Sequence, residues 1–262
     1  IYQCDWSSDV CSSDLIMRIV CISDTHSLHS HMKATLPKGD VLIHAGDISN
    51  RGGQKDVTNF VNWFMDLEYD TKIFISGNHD FCFEKRYEPH HKGDYDWLEH
   101  LLSYENLSQS NVEYLQDEHF LIESPEFSRP IKFYGTPWQP WFYDWAFNLP
   151  RNSDIMQQKL NLIPSDVDIL ITHGPAFGIN DISTRAPNVN LGCDLLLEHI
   201  QTNKPKIHVC GHIHSGNGYR QSGDTHSFNA SIVGESYNTT NSCRYEPYTF
   251  IWDKDTNQIQ WL

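Results

Sequence analysis

Arg18-Ile19-Val20-Cys21-Ile22-Ser23-Asp24-Thr25-His26 is an apolar run that breaks off into a polar turn carrying a carboxylate and an imidazole. The apolar part is short, unbroken and β-branched, so it reads as a strand buried on both faces. The same unit recurs down the chain. Residues 41–45, 72–75, 131–134, 168–172 and 206–210 are further short apolar runs, and four of them lead into Gly46-Asp47, Gly77-Asn78-His79-Asp80, His173-Gly174-Pro175 and Gly211-His212-Ile213-His214.

Segments of helical period lie between some of these runs: Val57, Phe60, Val61, Phe64 and Leu67, then Leu98, Leu101 and Leu102, then Cys193, Leu196, Leu197 and Ile200. Strands alternating with helices predict parallel strands joined by helical crossovers, an α/β layered architecture. The end of the chain departs from that pattern. Residues 225–233 and 248–262 read as strands, with a hairpin loop at 253–257, and predict a second, more antiparallel sheet there. Residues 81–129 mix acidic and aromatic residues and predict two helices without sharp boundaries.

With 262 residues, 39% of them hydrophobic, the chain can bury a full core. No linker interrupts residues 17–262, which read as a single domain. Residues 1–16 stand apart, with no basic stretch, no apolar stretch and no periodicity of strand or helix. One codon choice for Cys4 to Asp14 resembles a sequencing-library adapter read in frame, so these residues are expected to be a non-native tail ahead of a start at Met17.

The formal charge is −15, and leaving out Asp5, Asp9 and Asp14 brings it to −12. A field of that sign disfavours stable binding to nucleic acid or to an anionic membrane, so a phosphate-bearing substrate must be attracted by cations placed locally. No run approaches the apolar length of a membrane span. Apart from Cys4 and Cys11 the cysteines are Cys21, Cys82, Cys193, Cys210 and Cys243. Their odd number, with no C-x-x-C pair, predicts reduced thiols and a cytoplasmic location.

In open α/β sheets the loops at the carboxyl ends of the strands gather on one edge, where ligands bind. The five polar loops would therefore meet. The Asp24/His26 and His212/His214 pairs are spaced i, i+2, which puts two side chains on one side of extended backbone, as a shared metal requires. Asp24, His26, Asp47, Asn78, His173, His212 and His214 are too many donors for one tetrahedral ion but suit two if Asp47 bridges them. Two such ions stabilise the attacking and leaving oxygens of a phosphoryl displacement. Singly, each residue has an ordinary structural explanation as a helix cap, a turn residue or a core histidine. Capping alone, however, does not call for imidazoles in three of these loops.

Asp-x-His, Gly-Asp, Gly-Asn-His-Asp, His and Gly-His-x-His, in this order, resemble the signature of the calcineurin-like metallophosphoesterases. The similarity runs from about Met17 to Trp252. Thr136-Pro137-Trp138-Gln139-Pro140-Trp141-Phe142 and Thr172-His173-Gly174-Pro175 resemble the metallophosphoesterase-domain-containing brain proteins, related to class III cyclic nucleotide phosphodiesterases. The resemblance implies a four-layer αββα sandwich of two mixed β-sheets flanked by helices. It implies that Asp24, His26, Asp47 and His214 hold one divalent ion, and Asp47, Asn78, His173 and His212 the other. Manganese or iron is favoured, with zinc or nickel compatible with the same donors. Some members of that subfamily carry glycine where this chain has His212; here the block is complete.

His79 is left free for catalysis and is expected to act as general acid, with Asp80 orienting its ring. His44 and His208, inside apolar runs, are expected to be hydrogen-bonded core residues. Trp138, Trp141, Phe142, Tyr143, Trp145 and Phe147 follow the run at 131–134, and Trp138 and Trp141 are expected to stack a nucleobase, although such rings also commonly cover a core. The expected function is hydrolysis of small phosphodiesters such as cyclic nucleotides by metal-activated hydroxide. The alternatives are a phosphoprotein phosphatase, or a metal-dependent nucleotide-binding or scaffold protein with weak activity.

Overall fold

The structure, a computed structural model, describes residues 16–31, 36–84, 96–124, 127, 129–235 and 244–262. The expected non-native tail lies outside them apart from Ile16, which opens the first strand. In chain order the helices and strands are β1 (Ile16–Ile22), β2 (Val41–His44), α1 (Gln54–Met65), β3 (Thr71–Phe74), α2 (Asp96–Leu101), α3 (Tyr104–Leu107), β4 (Val112–Tyr114), β5 (Glu118–Ile122) and β6 (Ile131–Thr136). Then follow β7 (Gln139–Pro140), β8 (Asn148–Leu149), α4 (Asp154–Leu160), β9 (Ile169–Thr172), α5 (Asp194–Asn203), β10 (Ile207–Cys210), β11 (Gly218–Ser222), β12 (Thr225–Asn229), β13 (Tyr248–Asp253) and β14 (Gln258–Trp261).

Two six-stranded sheets form, in the orders β14-β13-β1-β2-β3-β4 and β11-β12-β10-β9-β6-β5. Strands β1 to β4 are mutually parallel, and so are β12, β10, β9 and β6. Antiparallel strands complete both sheets: β13 and β14 the first, β5 and β11 the second.

Period-two alternation explains the unbroken apolar runs. Ile19, Cys21, Val41 and Ile43 face Phe133, Ile171 and Val209 of the other sheet, while Val20, Ile22 and Leu42 face outward onto α1. Helix α1 presents Val57, Phe60, Val61 and Phe64 to that outer face, joined by Leu98 and Leu107 of α2 and α3. On the far side, Met156 and Leu160 of α4 and Leu196 and Ile200 of α5 cover Tyr134 and Leu170. The layers are therefore helix, sheet, sheet, helix, the mixed four-layer sandwich expected. Phe60 has no exposed surface, and truncating it to alanine would cost roughly 3–5 kcal/mol.

The C-terminal strands depart from expectation. They form no sheet of their own: β12 joins β10 in the second sheet, while β13 and β14 extend the first beyond β1. The turn between β13 and β14 lies where the hairpin was expected. Residues 81–129 contain the two helices α2 and α3 together with β4 and β5. These two strands, one three residues long and the other at a sheet edge, have too little buried face to show alternation. Among the described residues no helix is long and apolar enough to cross a membrane. The described cysteines Cys21, Cys82, Cys193 and Cys210 are all buried free thiols.

Candidate metal centre

The parallel strands of both sheets end on one edge, and the loops that follow are laced together by backbone hydrogen bonds. Asp24 N donates to Gly46 O at 2.9 Å, His26 N to Asp47 O at 3.0 Å, and Ser27 N to Ile48 O at 3.1 Å. Between the sheets, Ile232 N donates to Ser23 O at 2.9 Å, and Gly211 N donates to His173 O at 2.8 Å within the second. Two glycines are required by this crowding. A Cβ on Gly77 would collide with Asp47, and one on Gly211 with Asp24 and Ser23.

Asp24, His26, Asp47 and His212 all hold left-handed backbone, with φ of 54°, 43°, 55° and 66°. Non-glycine residues pay for such conformations, and clusters of them mark functional sites. The extended backbone read into the i, i+2 pairs is thus absent, and the tight turns do its work. Nor do His212 and His214 turn toward a common point. His214 Nε2 faces Asp24 Oδ1 at 3.3 Å, while His212 Nδ1 faces Asn78 Oδ1 at 2.8 Å.

The seven expected ligands fall into two sets that share Asp47. In one, donor atoms of Asp24, His26, Asp47 and His214 all lie within 4.8 Å of one another, and all four residues are buried. His26 Nε2 is 3.7 Å from Asp47 Oδ2. In the other set, His173 Nε2 stands 2.9 Å from Asn78 Oδ1 and 3.4 Å from Asp47 Oδ1. The two oxygens of Asp47 thus face different sets, the disposition a bridging carboxylate needs. Oxygen and imidazole donors without thiolate suit divalent first-row metals.

The surroundings tune these donors. Burial opposes ionisation of Asp24, yet the His214 hydrogen bond and charge hold its carboxyl well below the ordinary range. Asp47, also working against burial, is held down by His173, His79 and His26. Burial pushes His26 and His212 down to about 3, which keeps both imidazoles neutral. At His173 burial acts in the same sense but is overcome by the charge of Asp47, and the ring is raised to about 9. Two buried carboxylates demand positive charge beside them, and divalent cations with neutral imidazole ligands satisfy that demand. Outside the donor set, Ser231 Oγ donates to Asp24 Oδ2 at 2.8 Å and Ala45 O accepts from His173 Nδ1 at 2.9 Å. Nothing in the sequence signals Ser231.

His79 stands beside the donors, its Nε2 4.0 Å from Asp47 Oδ2. The role expected for Asp80 is corrected. Its carboxylate accepts from Ile48 N, Ser49 N, Ser49 Oγ and Gly77 N at 2.6–3.1 Å, tying two site loops together. The imidazole is oriented instead by the Asn50 carbonyl, 2.9 Å from Nδ1, and by Trp145, stacked on it at 4.1 Å between centroids.

A cavity of about 340 Å³ opens onto Asp47, Asn78, His79, His212 and His214. Its aromatic lining is Phe142 and Tyr143, not Trp138 and Trp141. Trp138 is packed away, with its indole N–H on Asp117 Oδ2 at 2.9 Å and the Lys159 ammonium over its ring. Trp141 is half exposed outside the cavity. The aromatic stretch therefore does reach the site, but through different members.

A family model described as calcineurin-like phosphoesterase matches residues 17–216. Human "Metallophosphoesterase domain-containing protein 1" is 40% identical over 233 residues, spanning 86% of this chain and 68% of its own length. The "UPF0046 protein T07D4.2" of Caenorhabditis elegans is 35% identical over 250 residues, 89% of this chain and 59% of that one. The crystal structure of TT1561 of Thermus thermophilus, 9% identical, superposes with a TM-score of 0.57 over 94% of this chain and 97% of its own, a likeness of fold. With its five polar loops meeting at one edge of a two-sheet sandwich, this chain belongs to the calcineurin-like phosphoesterase family.

Proposed function

We propose that this chain is a phosphodiesterase acting on small phosphodiesters, cyclic nucleotides among them, with manganese or iron as its metal and the cytoplasm as its location. Asp24, His26, Asp47 and His214 would hold one ion, and Asp47, Asn78, His173 and His212 the second. Two ions so held would supply the charge that stabilises the attacking and leaving oxygens of a phosphoryl displacement.

The chain's own residues complete the chemistry. Asn50 O can only accept, so His79 Nδ1 carries the proton of that bond, and Nε2, 4.0 Å from Asp47 Oδ2, is the nitrogen on the side of the donor sets. From there His79 delivers a proton to the leaving alkoxide, while stacking on Trp145 fixes its plane. Asp80 keeps the loops carrying Asp47 and Asn78 in register.

The observation that carries this reading is the cavity. It brings Asp47, which both donor sets share, together with Asn78, His212 and His214, the His79 ring, and two aromatic side chains able to cover a nucleobase around one small space. Hydrolysis of cyclic nucleotides, other phosphodiesters, phosphomonoesters and phosphopeptides should be compared at equal concentration on manganese-loaded protein. Faster turnover of phosphodiesters is expected. Phosphopeptides turned over faster would point to a protein phosphatase, and nucleotide binding without turnover to a binding protein.

A further inference from the structure

Among the described residues lining the cavity, Arg185 is the one lysine or arginine, in a chain whose formal charge is −15. Its loop is closed by Asp181, whose carboxylate accepts from Gly178 N at 2.8 Å and Gly192 N at 3.0 Å. Thr184 N donates to Ser215 Oγ at 2.9 Å, and Arg185 N to Ser183 Oγ at 3.1 Å.

The same two hydroxyls hold Glu235. Its Oε1 accepts from Ser183 Oγ at 2.7 Å and from Ser215 Oγ, and its Oε2 lies 3.0 Å from Arg185 Nε. The Glu235 carbonyl accepts from Arg185 Nη2 at 2.6 Å. Each carboxylate oxygen of Glu235 is therefore engaged within the protein. Arg185 Nη1 meets no acceptor among the described residues. Exposed ion pairs usually fail to hold a side chain because ordering both partners costs as much as the attraction returns. Here Glu235 is ordered beforehand, and a planar guanidinium pinned through Nε and Nη2 keeps its remaining edge pre-set for a carboxylate or phosphate.

We infer that Arg185 is a specificity-determining residue that takes a second anionic group of the substrate, a carboxylate or further phosphoryl group beyond the reacting ester, and that Glu235 is its positioning residue. The inference rests on the cavity's being the ester-hydrolysing site proposed above. Depth separates the two anions. Side chains of the donor set are at most 5% exposed at Asp24 and His214, whereas that of Arg185 is 69% exposed at the cavity wall. The reacting phosphate belongs with the buried donors, so the guanidinium serves another part of the molecule.

The test uses manganese-loaded full chain and nitrophenyl alkyl phosphodiesters, over a series of chain lengths, whose alkyl tail ends in a carboxylate, a phosphate or a neutral carboxamide. The matching phosphonates, with methylene in place of the oxygen that bears the nitrophenyl group so that the activated ester is absent, are titrated by calorimetry. An anionic tail should be favoured over carboxamide roughly tenfold to a hundredfold in kcat/KM and in Kd, with the preference shrinking in salt. The carboxylate and phosphate arms tell which anion the site takes. Arg185→Gln should bring the ratio to about one, Arg185→Lys should restore part of it, and Glu235→Gln should reduce it mainly through KM with the melting temperature retained. A ratio near one for wild-type phosphonate binding at every length, or a ratio unchanged in Arg185→Gln, overturns the inference. Phosphonate discrimination without turnover of any diester would support it and count against the hydrolytic reading alone.

Discussion

His26 Nε2 and His214 Nε2 lie 3.1 Å apart, although 188 residues separate them in the chain. Two buried ring nitrogens so close can share one proton or point together at one cation, and the carboxylates of Asp24 and Asp47 beside them favour the cation. Metal binding to this set should therefore stabilise the fold. Saturating manganese, at about a hundred times Kd, contributes roughly 2.7 kcal/mol, which for a chain of this size raises Tm by about 5–10 °C. Calorimetry of chelator-treated protein with and without manganese checks this. An undiminished rise in a His26→Ala/His214→Ala double variant would detach the pair from metal.

Asp47 faces both donor sets, so Asp47→Asn should release metal from both. A neutral amide cannot balance two cations. Residues beyond a metal's own ligands already cost 10–100-fold when mutated, so a shared ligand should cost at least about 100-fold in activity. Elemental analysis should show well under half the wild-type metal. Wild-type content in this variant would remove Asp47 from the bridge.

His79→Ala separates proton donation from other roles through the leaving group. A nitrophenolate leaves with little protonation, whereas a ribose alkoxide needs it. The loss should be small on the nitrophenyl ester and about 10²–10⁴-fold on a cyclic nucleotide, with metal content retained. Equal losses on both would mean that His79 stabilises the phosphoryl group instead. Asp80→Asn should weaken all substrates alike and lower Tm, because Asp80 braces the loops and does not touch the imidazole's working edge.

The layered fold was legible because both faces of the parallel strands are buried, so the strands appear as unbroken apolar runs. The candidate donors could be picked out because Asp24, Asp47, Asn78, His173 and His212 each follow closely on such a run. What escaped depends on contacts without local trace. Strand β13 pairs with β1 from the other end of the chain, and nothing near Tyr248 announces that partner. Asp80 sits next to His79 in sequence, yet the chain turns its carboxylate back onto Ser49. Arg185 and Glu235 carry no motif, and they meet only in the folded chain, through their ion pair, the Glu235 carbonyl and the Ser183 hydroxyl that both contact. Among the aromatic residues, composition could not tell Phe142 from Trp138. The half-buried Asp117 acceptor decides which ring packs.

The aromatic assignment has its own test. Phe142 and Tyr143 are 43% and 74% exposed and line the cavity, so Phe142→Ala or Tyr143→Ala should weaken nucleotide binding about tenfold or more while leaving a small alkyl phosphodiester little affected. Trp138→Ala should instead lower stability by about 3 kcal/mol with a nucleotide Kd near wild type. Weaker nucleotide binding in Trp138→Ala alone, with stability intact, would return the stacking role to that ring.

Acid stability should report the two core histidines. His208 Nε2 lies 2.9 Å from Thr172 Oγ1, whose own proton goes to Gly174 O at 2.6 Å, so His208 must be the donor and carry its proton on Nε2. Its Nδ1 is buried without a partner among the described residues. His44 has the same tautomer, because its Nδ1 accepts from Gly46 N at 3.3 Å and its Nε2 faces Thr25 Oγ1 at 3.0 Å. Burial pushes both rings down to about 3, against about 6.5 in an unfolded chain. Between those values the unfolded chain binds protons that the folded chain does not, so stability is fully present above about pH 6.5 and is lost as pH falls toward 3. Each ring contributes a slope approaching 1.4 kcal/mol per pH unit. In His208→Gln, whose amide can still donate to Thr172, the slope of unfolding free energy between pH 4 and 6 should drop by one proton's worth relative to wild type, both proteins being chelator-treated so that the metal donors titrate alike. Denaturant titrations at several pH values measure that difference, and an unchanged slope would show that His208 protonates as readily in the folded protein as in the unfolded chain.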